Sequence, residues 1–178
     1  MTAPSKGDLP TLEIDIALEK TAWKETVPNL EPLVHETLKR ALMAGMAEKC
    51  IQQPEAIEVS IVLADDGFVQ DLNKRYRDKD NPTNVLSFPQ TEEDSLLVSP
   101  APFLSLGDII LAYETVEKEA SQQAKSFEEH LRHLIVHSCL HLLHYDHIEE
   151  QEAEEMESIE ILVLKGMGIK NPYESSCE

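Results

Sequence analysis

Apolar residues recur along this chain at two different periods. Between Thr11 and Leu18 they alternate, with Leu12, Ile14, Ile16 and Leu18 set against Glu13, Asp15 and Ala17. That is the pattern of a strand with one face buried. Ala56 to Leu63 repeats it, with Ile57, Val59, Ile61 and Leu63 on one side. From Asn29 to Cys50 the spacing becomes three and four, through Leu30, Leu33, Val34, Thr37, Leu38, Ala41, Leu42 and Met46. This predicts an amphipathic helix, with Pro32 tolerated in its first turn. Asp65 is suited to N-cap a shorter helix through Val69, Leu72 and Tyr76. Val85 to Phe88 reads as a short strand, and Gln90 to Pro102, with its acids, serines and prolines, as an exposed loop. Leu106 to Tyr113 is nearly continuous apolar, as expected of a strand buried on both faces. Glu114 to Gln123 is a polar helix. Ser126 and Glu129 form a capping box that opens a long helix. Ala153, Met156, Ile159 and Val163 carry helical spacing through Glu149 to Gly166, where Gly166, Gly168 and Pro172 stop it.

Elements in this order imply an α+β fold: a small mixed, mostly parallel four-stranded sheet covered by helices. The helix after Ser126 should lie centrally, because Leu134, Ile135, Val136, Leu140 and Leu143 leave it few wet positions. No internal repeat, low-complexity tract or linker interrupts the pattern. A single domain over residues 1–178 is therefore expected, with residues 1–10 a flexible lead-in.

Composition adds limits to this picture. A chain of 178 residues buries roughly two-thirds of its unfolded surface. Hydrophobic content of 42% with 28% charged residues is ordinary for a globular protein. No apolar run approaches membrane-spanning length, and Met1 to Pro10 lacks the apolar stretch of a secretory signal, so a cytoplasmic protein is expected. Three cysteines, Cys50, Cys139 and Cys177, are an odd count without zinc-knuckle spacing and are expected as reduced thiols. The net charge of −19 opposes a polyanionic partner, so an RNA substrate would require a local basic patch.

The densest chemistry lies between His137 and His147, reading His-Ser-Cys-Leu-His-Leu-Leu-His-Tyr-Asp-His. Histidines at i and i+4 project from one helical face roughly 5–6 Å apart at Cβ. His147 can join His137 and His141 only if the helix stops and the chain turns back, and Tyr145-Asp146 is a plausible turn. Three imidazoles with a fourth position open are the usual donor set of a catalytic zinc, although nickel, copper or iron would also suit them. Cys139 lies about 200° round the helix from His137 and is expected in the core. The spacing His-x3-His-x5-His also occurs in metzincin peptidases, but their general base is a glutamate directly after the first histidine. Here that position is Ser138, and their glycine three residues after the second histidine is His144.

The densest basic cluster is Lys74, Arg75, Arg77 and Lys79, followed by turn chemistry at Asp80-Asn81-Pro82. On its own Arg77 would be read as a surface ion pair with Asp78 or Asp80. The seven glutamates from Glu149 to Glu160 read as a solvated helix face. His130 and His133 precede the motif. His133, at i−4 from His137, is either a group supporting a ligand or, as favoured, a packed histidine. His35 is assigned no role. Asp146 either orients a ligand histidine or forms an Asx turn.

Three separated stretches resemble the YbeY family of bacterial metal-dependent endoribonucleases. They are Tyr76-Arg77-x-Lys79-Asp80-x-Pro82-Thr83-Asn84-Val85-Leu86-Ser87-Phe88-Pro89, Leu106-Gly107-Asp108-Ile109, and His137 to His147 with the Asn171-Pro172-Tyr173 ending. The resemblance covers about Leu12 to Tyr173. It implies a single-strand-specific endoribonuclease acting in small-subunit ribosomal RNA 3′-end maturation and ribosome quality control, with no DNA or membrane partner. It further implies one zinc per chain on His137, His141 and His147, and Arg77 as the functional arginine in the cleft. Such a metal can acidify bound water to a pKa of about 7, and a guanidinium fork suits the charge developing on a phosphorane. Lys74, Arg75 and Lys79 would then supply the local patch for substrate. The chain departs from the family's usual motif at Ser138 and His144, where glycines are typical. If position 144 is left-handed, a side chain there costs on the order of 1 kcal/mol; His144 is expected as a turn residue, with metal ligation the alternative. Two other functions compete: a ribosome-associated binding factor with a structural metal, and a zinc hydrolase of peptides or small substrates.

Overall fold

Strand β1 (Thr11–Leu18) pairs in parallel with β2 (Ala56–Ala64), Thr11 opposite Ala56 and Leu18 opposite Leu63, in a computed structural model that describes residues 10–98 and 102–174. Between them run α1 (Ala22–Thr26) and α2 (Leu30–Glu48). Asp65 caps α3 (Asp66–Arg77), its Oδ1 accepting from the Phe68 amide at 2.8 Å. Strand β3 (Val85–Pro89) leads through α4 (Glu93–Val98) to β4 (Phe103–Ala112). Helices α5 (Tyr113–Gln122), α6 (Phe127–Leu142) and α7 (Glu150–Gly166) follow. The sheet order is β1-β2-β4-β3, with β2 and β4 parallel and β3 antiparallel to β4. This is the mostly parallel four-stranded sheet of an α+β fold. The lead-in at residues 1–9, Pro100 of the expected loop, and Cys177 lie outside the described residues.

Helix α6 packs against α2, α5 and α7 and against β3 and β4. Its Leu134, Ile135, Val136 and Leu140, with Leu143 just beyond, are buried, so one narrow stripe is left for polar side chains. Against α2 the approach is close. A Cβ on Gly45 would come within 2.7 Å of Leu143 and 2.9 Å of Leu140.

Three segments differ from what their sequence predicts. The segment Gln90 to Pro102 is not simply a loop: α4 forms within it and buries Leu96 in the core, an anchor too small to show as periodicity. Strand β4 begins at Phe103 and ends at Ala112, because Tyr113 opens α5 and shares its hydroxyl with Thr26 and Glu117. Helix α1 had no pattern to announce it. Its Trp23 is fully buried, donates to the Ala64 carbonyl at 3.0 Å and meets Tyr113 and Phe127 edge-on.

One glycine sets the sheet edge beside the site. In β4 the register with β2 slips between Glu58 and Val59, and Gly107 sits at φ 138°. A Cβ there would fall 2.1 Å from the Phe88 carbonyl oxygen. Only glycine admits β3 at this distance, and β3 forms one wall of the cleft.

Candidate metal centre

The helix that carries the histidines begins at Ser126, whose Oγ accepts from the Glu129 amide at 3.1 Å. Among the described residues the return bond of the capping box is not made. The helix ends where the chain turns. His144 has φ 64°, and the Tyr145 amide reaches back to the Leu140 carbonyl at 3.0 Å, closing a Schellman-type turn. The Tyr145 hydroxyl anchors that turn to the Gly45 carbonyl at 2.6 Å. Position 144 is thus left-handed, as its usual glycine suggests. The His144 ring donates to the Thr91 carbonyl at 2.6 Å and is not part of the ligand cluster.

The turn returns His147 to the helix. One ring nitrogen from each of His137, His141 and His147 lies within 4.8 Å of the others. Donor chemistry decides what this cluster can hold. His141 Nδ1 lies 2.9 Å from the Tyr145 carbonyl, which can only accept, so that nitrogen carries the proton. His137 Nδ1 lies 2.5 Å from Glu160 Oε1 and is likewise the donor. In the neutral rings that metal ligation requires, two Nε2 lone pairs then face one another across 3.0 Å. Burial, reinforced by the neighbouring His137 ring, pushes the His141 imidazole down to about 4, so this ring does not relieve the clash by protonating near neutrality. A shared cation does relieve it. Nitrogens on one tetrahedral zinc stand roughly 3.3 Å apart, and the third nitrogen, from His147, has no part in a proton bridge between the other two. The donor set fits a metal ion.

Glu160 is the residue that the sequence reading missed. Assigned to a solvated face, it is in fact fully buried beside Met156, Val163 and Leu164, and it is the one glutamate of that run on the apolar stripe of α7. Burial alone would raise its pKa. Donors from His133, His137 and Tyr173 outweigh that and hold it at about 2, an ionised acceptor that sets the His137 tautomer. Tyr173 bonds Glu160 through its hydroxyl, while its amide donates to Asn171 Oδ1 at 2.8 Å. The Asn-Pro-Tyr ending thus closes over the back of the site. His133 Nε2 stands 3.5 Å from Glu160, the carboxylate that also meets His137. Asp146 accepts from the amide of the next residue, His147, at 2.7 Å, which is not the Asx turn's bond two residues on, and its carboxylate stands 4.0 Å from the His147 ring. His130 is buried, its ring 2.7 Å from Glu119. Cys139 is buried in the core, and burial pushes its thiol up. Ser138 is buried with an unpartnered hydroxyl, so no side chain on that turn takes the position of a peptidase base.

The three histidines open onto a cleft of about 930 Å³. Arg77, the last residue of α3, lines it, its Nη2 3.4 Å from the Ser87 carbonyl and its guanidinium 5.9 Å from the Phe88 ring centre. The ion pair with Asp78 or Asp80, the alternative reading of Arg77 taken on its own, is not formed among the described residues. Instead Lys74 pairs with Asp80 at 3.7 Å and Arg75 with Asp71 at 3.0 Å, both exposed. Lys74, Arg75 and Lys79 do not line the cleft, whereas Lys125, which the sequence reading passed over, does. Glu93, Glu152 and Asp146 also line it, so the cleft carries both signs of charge.

An α+β scaffold with an open three-histidine site and an arginine across the cleft defines a metallohydrolase class. Residues 17–168 match the family model Endoribonuclease YbeY. The chain is 43% identical over 164 residues to the Endoribonuclease YbeY of Paramagnetospirillum magneticum, covering 92% of this chain and 96% of that protein. It is 50% identical over 123 residues to that of Magnetococcus marinus, covering 66% and 83%. The solution structure of TM1509 from Thermotoga maritima shares the fold, with a TM-score of 0.50 and 24% identity over 92% of this chain and 97% of that one. The chain belongs to the YbeY family of endoribonucleases. Among the described residues, no helix is long and apolar enough to cross a membrane.

Proposed function

We propose that this protein is a zinc-dependent endoribonuclease specific for single-stranded RNA. It acts in maturation of the small-subunit ribosomal RNA 3′ end and in ribosome quality control, as one catalytic domain working in the cytoplasm with the small ribosomal subunit. The observation that carries this is the cluster of His137, His141 and His147, with the Nε2 atoms of the first two 3.0 Å apart, in an open cleft that Arg77 also lines. His137, His141 and His147 would hold the metal. When bound, it supplies Lewis-acid polarisation of a phosphoryl oxygen and a water acidified to near neutrality.

The protein's own residues do the rest. Glu160 keeps the His137 proton on Nδ1, and the Tyr145 carbonyl does the same for His141, so both rings present Nε2 without rearrangement. Arg77 is free of carboxylate partners among the described residues, and its fork offers two donors to phosphate oxygens as charge accumulates on them. A purely structural metal is usually enclosed by four protein ligands. Here three are offered, and the His147 side chain is 59% exposed, which favours a site that admits substrate.

The test is cleavage of a defined single-stranded RNA by metal-loaded protein, with and without chelator, beside His141→Ala. Metal analysis of protein purified without an affinity tag identifies the ion, zinc being expected over nickel. Cleavage unaffected by chelator and by the substitution would overturn the proposal. Cleavage of a generic protein substrate instead would favour a peptidase.

A further inference from the structure

A second cation, Lys125, lines the cleft that Arg77 also lines. Lys125 lies in the tight connection between α5 and α6, and both sides of that connection are capped. The Lys125 amide reaches the Ala120 carbonyl at 2.9 Å and the Ala124 amide reaches Ser121 at 3.2 Å, a Schellman-type closure of α5. The very next residue, Ser126, caps α6. Ala124 between them sits at φ 53°, a left-handed conformation that a non-glycine residue holds at a cost of about 1 kcal/mol. The backbone that presents Lys125 is therefore rigid and mildly strained, unlike the exposed end of α3 that carries Lys74 and Arg75.

The side chain is half-buried on the cleft wall. Burial depresses its pKa, partly offset by Glu129, so the ammonium is short of solvent. Among the described residues no ion pair engages it. Glu119, the carboxylate sharing its end of the cleft, is already taken by His130 at 2.7 Å and by Asn84 at 3.1 Å. An ammonium that is partly desolvated, unpaired and rigidly mounted in a protein of net charge −19 calls for an anion from outside.

We infer, taking the proposed ribonuclease activity as given, that Lys125 binds a backbone phosphate of the RNA flanking the one held at Arg77. The strand then crosses the histidine ligands between two fixed cations, and Lys125 is a binding residue with no part in bond cleavage. This location for the substrate contact replaces the patch of Lys74, Arg75 and Lys79, which lies off the cleft and in which Lys74 and Arg75 pair with Asp80 and Asp71.

The test uses Lys125→Gln, which keeps most of the stem, and Lys125→Arg. Binding of a labelled single-stranded oligonucleotide is followed by fluorescence anisotropy across a salt series, and cleavage by KM and kcat. Lys125→Gln should raise Kd and KM roughly fivefold at low salt and lower the salt slope by about 0.7. kcat and melting temperature should not move, and Lys125→Arg should restore the slope. An unchanged slope and KM would overturn the inference, as would a loss confined to kcat or accompanied by a lowered melting temperature. Wild-type protein that fails to bind the oligonucleotide would overturn it too. Failure of the enzymatic proposal looks different: wild-type protein binds RNA with the full salt slope but does not cleave it, and His141→Ala changes nothing.

Discussion

Helices α6 and α3 each end in a cluster of like side chains, yet the two clusters behave in opposite ways. His133, His137 and His141 of α6 converge, with His147, on one end of the cleft. Lys74 and Arg75 of α3, with Lys79 after it, scatter over solvent, and Arg77 alone of that group lines the cleft. The difference is burial. Helix α6 is surrounded by α2, α5, α7 and the sheet, so its polar residues share the one stripe that is not core. In α3 only Val69 and Asn73 are buried, and nothing forces consecutive cations onto one side. A dense cluster on a helix is thus informative in proportion to how much of that helix is covered.

Substitutions can break or sharpen this contrast. The largest effect belongs to His141→Ala, which should abolish stoichiometric metal and lower RNA cleavage by on the order of 10³-fold. Metal content by mass spectrometry checks it, and retention of one ion per chain would remove α6 from the metal site. Arg77→Ala should lower kcat by about 10²–10³-fold with metal content intact. Arg77→Lys should recover only part, since a point charge does not replace the fork. Glu160→Gln keeps the volume of the buried side chain but loses the charge that holds the His137 tautomer. Metal affinity, measured by competition with a chromophoric chelator, should fall about 10–100-fold. Should it stay at the wild-type value, the carboxylate would be packing only. Replacing Lys74, Arg75 and Lys79 together by alanine should change kcat/KM less than about threefold at moderate ionic strength, because these exposed, screened charges lie off the cleft. A loss equal to that of Arg77→Ala would erase the contrast between the two helices. His144→Gly is expected to be the mildest: relief of the left-handed backbone and loss of the bond to Thr91 offset one another to within about 1 kcal/mol. Metal content should not change, as read by melting and metal analysis.

The residues that were legible beforehand share a local signature. Asp65 and Ser126 announce themselves as caps because capping is a property of four consecutive residues. The left-handed turn at position 144 could be suspected from its usual glycine. Glu160 was misread although its signal was present: it lies four residues after Met156 and three before Val163, on the apolar stripe, where an isolated carboxylate must have a partner. The run of glutamates around it concealed that placement. Helix α1, α4 and Lys125 offered no comparable signal. Trp23 and Leu96 anchor segments of five and six residues, too short for a period to show.

By itself the amino-acid sequence determined the alternation of β1 and β2, the stripe of α2, the central position of α6 and the placing of His137 and His141 on one helical face. Each follows from periodicity or spacing within one element, where neighbouring side chains and hydrogen bonds suffice. The tertiary structure alone decided that Lys74, Arg75 and Lys79 stand off the cleft that Arg77 lines, that Lys125 stands on its wall, and that Glu160 and Tyr173 support His137 from behind. Those residues are tens of positions apart. They meet only because the sheet order puts β3 on the far side of β4, Gly107 lets β3 come close, and α7 folds back on α6.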